Sequence, residues 1–288
     1  MRFINFRLNG RSGTALQHSA GTLVGRLSDD PKYPGSIAEL VSRGGEALAS
    51  AGRQLANAPA LDPDRIEYLP PLPAPPKIIC LGLNYKDHAA EGGFKAPDYP
   101  TIFARFGSSL IGHLAPLVRP RVSTRFDYEG ELVAVIGRAG RHISQSAALD
   151  HICGYSVFND GSVRDYQMRT PQWTVGKNFD GTGPFGPALV TADELPPGAT
   201  GLKLETRLNG KVMQSASTTD MIFDVRTTVA LLSEVMTFEV GDVLVMGTPS
   251  GVGFARSPPV FMKPGDVCEI EIEGVGTLRN PVVDEAAA

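Results

Sequence analysis

The chain predicts an α+β fold rich in strands, with a small α+β unit at the N-terminus and a larger β-rich domain behind it. Three observations lead there. The 288 residues include 32 Gly and 23 Pro, which implies many turns and so many short strands. Apolar or alternating runs of strand length recur between those turns. A stiff proline-rich spacer, Pro70-Pro71-Leu72-Pro73-Ala74-Pro75-Pro76, separates the first part from the rest. The boundary is drawn there, giving a small domain at 1–70 and the main domain at 71–288.

Residues 1–28 read as a β-meander that turns at Asn9-Gly10, a dipeptide suited to a two-residue hairpin. Ser36 then caps a single helix. Glu39 completes its capping box, and Ile37, Leu40, Val41 and Leu48 form the apolar stripe. Beyond the spacer, strands are expected at 77–83, 101–106, 131–137, 154–159, 202–208, 243–246 and 267–273. Asn209-Gly210 makes a second tight hairpin. Asp224 caps a helix running through Glu234, with Val225, Val229, Leu232 and Val235 facing inward.

Composition narrows the function classes. Net charge is −4, with no basic run or aromatic-basic interleaving, so no nucleic-acid partner is expected. No apolar segment is long enough to span a bilayer, and the first residues alternate like a strand, so no membrane association and a cytoplasmic location are expected. Cys80, Cys153 and Cys268 sit in apolar strand-like runs without a CxxC pair, which reads as buried, reduced thiols. His18, His113, His142 and His151 have no catalytic company and read as structural.

The chemistry concentrates at Asp127-Tyr128-Glu129-Gly130-Glu131, which leads into the apolar run 132–136. Residues two apart on a strand share a face, so Glu129 and Glu131 stand side by side at the mouth of a strand covered on both faces. Two such charges repel and lose solvation, and a bound cation compensates them. Glu269, Glu271 and Glu273 alternate with isoleucines instead, the pattern of a solvated strand face. Asp160 ends the strand 154–159 and adds a third carboxylate. Three oxygens without His or Cys suit Mg²⁺ or Mn²⁺ rather than zinc. Arg164 and Gln167, in a helical turn, and Lys177 could hold an anionic substrate. His88 and Glu91, if helical, are i,i+3 neighbours able to form a hydrogen-bonded base. The glycine-rich turn 246–253 lacks a P-loop ending. It is either an anion nest including the Thr248 hydroxyl or a plain tight loop.

In their order, these motifs resemble the fumarylacetoacetate hydrolase family over roughly residues 75–283. They are Gly82-Leu83-Asn84-Tyr85 with Asp87-His88, the Asp-Tyr-Glu-x-Glu-Leu block, Asn159-Asp160 with Arg164-Asp165 and Gln167, Lys177, and the turn 247–253. Gln167-Met168-Arg169 and the segment 257–261 look most like its domain-containing protein 2 subgroup. The resemblance implies a mixed β-roll or β-sandwich catalytic domain whose single divalent cation per subunit is held by Glu129, Glu131 and Asp160. It also implies a small keto-acid substrate bound by Arg164, Gln167, Thr248 and Tyr85, with His88, Glu91 and Lys177 catalytic, and a homodimer. His88 and Glu91 would lie on a loop that closes over the site. The activity expected first is metal-dependent hydrolysis of a C–C bond in an acylpyruvate or β-diketo acid. The alternative is an oxaloacetate-type decarboxylase or an isomerase of an unsaturated keto diacid. One departure stands out: residue 130 is Gly where the family commonly has a larger apolar residue.

Overall fold

Two Asn-Gly pairs fix the two clearest hairpins. Asn9 and Gly10 have φ of 50° and 79°, and Asn209 and Gly210 have 52° and 78°, the left-handed backbone that a two-residue hairpin turn requires. The computed structural model describes residues 1–18, 21–87 and 97–286. In chain order the first part contains β1 (Arg2–Leu8), β2 (Arg11–Gln17), β3 (Leu23–Leu27), α1 (Ile37–Ser42), α2 (Gly45–Leu55), β4 (Ala60–Leu61) and β5 (Glu67–Tyr68). Then follow β6 (Ile78–Gly82), β7 (Thr101–Ala104), β8 (Leu110–Ile111), β9 (Leu117–Arg119), β10 (Phe126–Asp127), β11 (Gly130–Ile136), β12 (Ile152–Asn159) and β13 (Ser162–Val163). Two single-turn helices, α3 (Arg164–Gln167) and α4 (Thr174–Lys177), precede β14 (Gly183–Thr191), β15 (Lys203–Leu208) and β16 (Lys211–Ser217). The chain closes with α5 (Val225–Val235), β17 (Val243–Val245), β18 (Val267–Ile272) and β19 (Gly276–Asp284).

One large sheet runs β4-β3-β2-β1-β14-β12-β11-β17-β6-β7, and a second runs β16-β15-β18-β19-β9. The strand β11 explains the organisation. Its Leu132, Ala134 and Ile136 face a core shared with Leu204, Ile270, Ile272 and Leu278 of the second sheet. Val133 and Val135 face the opposite side, among Ile78, Cys80, Phe158 and the α1/α2 residues Ile37, Leu40, Val41, Leu48 and Leu55. Both faces are covered, which is why the sequence there is apolar without a break.

Sheet and core run across residue 70. Arg2 and Phe3 of β1 pair with Val190 and Leu189 of β14. The division at 1–70 and 71–288 follows a change in chain composition and stays a proposal for how the chain divides.

Several expectations need correction. The single helix after Ser36 is two: the capping box is present, but Gly44 takes φ 88° and breaks the helix before α2. Leu48 is buried all the same, from α2. Asp224 does cap α5 through the Thr227 N–H at 2.7 Å, yet Val235 at its last turn is 57% exposed. Strands β14, β16 and β19 carried no clear period in the sequence and complete the two sheets. Cys80 and Cys268 are buried and Cys153 half-buried, all three free. Arg207 and Arg279 pair with the exposed acidic face of β18 at Glu269 and Glu271. Among the described residues, no helix is long and apolar enough to cross a membrane.

Gly130 has a steric cause. A Cβ there would overlap Thr206 Oγ1 and come to 3.0 Å from Ile270 Cγ2. The second sheet lies too close for a side chain at this point.

Candidate metal and active site

Glu129 lies just before β11 and Glu131 within it. Asp160 follows β12, which pairs with β11 from Gly130↔Asn159 onward. The chain crossing is pinned by the Asp160 N–H to the Glu129 carbonyl (2.9 Å) and the Glu129 N–H to Asn159 Oδ1 (3.0 Å). The result is a cluster in which one carboxylate oxygen from each of Glu129, Glu131 and Asp160 lies within 4.8 Å of the others, all buried.

Three cations surround it. Lys177 Nζ donates to Glu129 Oε2 at 2.7 Å and to Asp160 Oδ2 at 2.6 Å. Arg164 Nη1 reaches Glu129 Oε1 at 2.7 Å and Gln167 Oε1 at 2.8 Å, while its Nε donates to Asp127 Oδ2 at 2.8 Å. Arg105 Nη1 donates to Asp160 Oδ1 at 2.5 Å. Burial works against the charge on Lys177, but Asp160 and Glu129 outweigh it and hold the ammonium above its ordinary pKa. Arg164 is held up in the same way by Asp127 and Glu129.

Glu131 is different. Among the described residues no cation pairs with it directly, and its Oε2 accepts only the Gly247 N–H, at 2.5 Å. Burial first, then repulsion from Asp160 and Glu129, push its carboxyl well above the usual range. Counting Asp127, four buried carboxylates face three buried cations. A divalent cation among Glu129, Glu131 and Asp160 reverses that excess to net positive, and the all-oxygen donor set suits Mg²⁺ or Mn²⁺. The residues fit such an ion.

The glycine-rich turn proves to be a nest for the protein's own carboxylates. Gly247 N–H serves Glu131, while the Gly253 and Phe254 N–H groups bind Asp127 at 2.8 and 2.9 Å. The Thr248 hydroxyl donates to the Gly130 carbonyl at 3.0 Å and accepts from Gln214 at 2.8 Å.

Above the cluster opens a cavity of about 630 Å³. Glu129, Glu131, Arg164, Gln167, Lys177 and Thr248 line it together, under an apolar wall that includes Phe103, Trp173 and Phe254. Arg164 lies 4.5 Å from the Phe254 ring centre, and its Nη2 is buried without a hydrogen-bond partner among the described residues. Gln167 spends its carbonyl on Arg164, which leaves its amide N–H groups to donate elsewhere. Tyr85 is not with them. It lines a separate cavity of about 130 Å³ beside Asp220 and Ser250. Its buried hydroxyl has no partner among the described residues, and burial and Glu131 raise its pKa. His88, Glu91 and most of the expected lid lie outside the described residues. Asp127 and Arg105 were missed as site residues. Asp127 opens the very block that carries the two glutamates, and Arg105 is the lone charge in the apolar stretch 101–106.

Known proteins resemble this chain over most of its length. Residues 77–283 match the model of the fumarylacetoacetate (FAA) hydrolase C-terminal family. The human mitochondrial oxaloacetate tautomerase FAHD2A is 39% identical, over 98% of this chain and 92% of that one. Oxaloacetate tautomerase YisK of Bacillus subtilis (strain 168) is 40% identical over 89% of each chain. Among solved structures, a fumarylacetoacetate hydrolase from Exiguobacterium antarcticum superposes with a TM-score of 0.85 at 37% identity, covering 99% of this chain and all of that one. A maleylpyruvate hydrolase from Sphingobium sp. SYK-6, solved with Mn²⁺ and pyruvate, gives 0.80 at 27% identity, with 99% and 100% covered.

Proposed function

Since the chain belongs to the fumarylacetoacetate hydrolase family, we propose that it is a divalent-metal-dependent isomerase that interconverts the enol and keto forms of a small 2-oxo diacid of the oxaloacetate type. The observation that carries this reading is that Arg164, whose buried Nη2 has no hydrogen-bond partner among the described residues, lines with Gln167 the same cavity as Glu129 and Glu131. These groups form a donor pair for a substrate carboxylate. The names of the relatives at 39% and 40% identity support the choice of diacid. They favour the alternative reading of the sequence over C–C hydrolysis, which was expected first.

Glu129, Glu131 and Asp160 hold the cation, Mg²⁺ or Mn²⁺. When bound, it draws electron density from the 2-oxo group and lowers the cost of enolate charge. The Arg164 and Gln167 N–H groups fix the carboxylate next to that group. Lys177, kept as an ammonium, donates a hydrogen bond from Nζ to the oxygen where charge develops. It is therefore a hydrogen-bond donor that keeps its proton, and not the base. The exchange of the proton at the adjacent carbon is assigned to His88, with Glu91 as the partner the family resemblance implies. One C–H bond breaks and one O–H bond forms, or the reverse, so the reaction needs neither water nor an oxidant. The apolar wall of Phe103, Trp173 and Phe254 keeps bulk water from competing.

The test is to follow the decay of enol oxaloacetate by its ultraviolet absorbance with Mg²⁺, Mn²⁺ or EDTA, while monitoring CO₂ and the cleavage of acylpyruvates. Metal-dependent acceleration of enol decay without CO₂ is expected. Release of CO₂ as the main event would make it a decarboxylase, two organic acids from an acylpyruvate would restore hydrolysis, and activity indifferent to EDTA would remove the metal from the mechanism.

A further inference from the structure

Arg105 sits just past β7, and nothing in the proposed chemistry uses it. Its guanidinium is completely buried, as is the Asp160 carboxylate it meets. It is held from several sides: Nε donates to Ser109 Oγ at 3.3 Å, Nη2 to Thr182 Oγ1 at 2.9 Å, and Nη1 to both Asp160 Oδ1 and the Gly161 carbonyl, at 2.5 and 3.3 Å. The Phe158 ring lies 5.5 Å away. Gly183 has no side chain where a Cβ would come to 2.9 Å from Nη2. An arginine is a costly group to bury, and here acceptors are arranged around all three nitrogens of its fork.

The consequence falls on Asp160. One of its oxygens is taken by Arg105, and the other points to Lys177. We propose that Arg105 is a positioning residue of the metal site: it withholds Oδ1 so that Asp160 presents a single oxygen, Oδ2, to the cation. Without it, Asp160 is free to turn Oδ1 as well toward the Lys177 ammonium, which already holds Oδ2, and neither oxygen is kept in a fixed orientation for the cation. Arg105 does not line the cavity, so in this proposal it acts only through Asp160. The inference rests on the metal-site reading above.

Titration of the metal-free protein with Mn²⁺ alone, by calorimetry, tests it. Outer-shell partners of metal ligands typically contribute about 10–100-fold in affinity. Arg105→Met should weaken Mn²⁺ binding by about that factor, and Arg105→Lys should recover part of the loss. Melting in EDTA reports the fold separately. A folded Arg105→Met that binds Mn²⁺ as well as or better than the wild type overturns the proposal, even if it melts lower. Should Arg105→Met not fold, Thr182→Val and Ser109→Ala keep the charge but loosen its grip. Each should weaken Mn²⁺ binding severalfold, and unchanged affinity in both overturns the proposal. Wild type that fails to bind Mn²⁺ would refute the metal site itself, a distinct result.

Discussion

Glu131 shows what a single side chain can contribute in opposite directions. Its carboxylate is buried and accepts one backbone N–H, with like charges beside it. Glu131→Gln keeps an oxygen for Gly247 and removes the charge. The metal-free protein should therefore become more stable, by about 1–3 kcal/mol, while Mn²⁺ binding is lost. Urea unfolding in EDTA and with Mn²⁺ would check both; a destabilised metal-free variant would contradict the charge argument. Lys177→Met is the converse. It strips the ammonium from Glu129 and Asp160, so the metal-free protein should lose about 3–5 kcal/mol. Enol turnover should fall by about 10²–10³-fold, and added Mn²⁺ should restore stability better than activity. Turnover near wild type would remove Lys177 from the mechanism.

At the level of elements, the hairpin of β11 and β12 positions the three carboxylates, and the second sheet sets how close anything can come to it. Gly130→Ala pushes a methyl group against Thr206 and Ile270 and should cost about 1–3 kcal/mol in urea unfolding. Thr206→Ala should recover part of that loss, because Thr206 Oγ1 is buried with no partner of its own among the described residues. Additive effects of the two changes would show that the contact is not the cause. The sequence revealed this hairpin because Glu129, Glu131 and Asp160 interrupt long apolar runs at strand ends, and because Asn-Gly turns announce themselves. It was silent on β14, β16 and β19, whose alternation is blurred by prolines, glycines and neutral polar residues. It hid the break at Gly44, since the helical stripe continues through Leu48 on both sides of it. It also hid the partners of the glycine-rich turn: backbone N–H groups look alike in any sequence, and only the fold brings Gly247 and Gly253 to Glu131 and Asp127.

For the whole molecule, a ligand that binds only the folded state raises stability by mass action. Mn²⁺ at a hundred times its dissociation constant should add about 2.7 kcal/mol. An unchanged melting temperature at saturating Mn²⁺ would argue that the unfolded chain binds it equally well. Acid should act through His113, which is half-buried beside Tyr68 and whose Nδ1 accepts the Arg279 N–H at 3.0 Å. Burial, then the Arg279 charge, lowers its pKa to about 4. An unfolded histidine binds protons below about 6.5. Between those values the unfolded chain binds more protons, so stability is full above about 6.5 and falls as pH drops towards 4, by on the order of 3 kcal/mol at most. His113→Asn, which keeps an acceptor for Arg279, should flatten that part of the pH dependence. An equally steep decline in this variant would point to other groups.

The three carboxylates proposed to hold the metal come from one continuous stretch, residues 129 to 160, on paired neighbouring strands. What balances them comes from outside that stretch, at residues 105, 164, 177 and 247. For protein engineering this means the coordinating unit is portable while its tuning is not. Grafted onto another antiparallel pair, the hairpin would carry its oxygens intact, but affinity and chemistry would have to be rebuilt by the recipient scaffold.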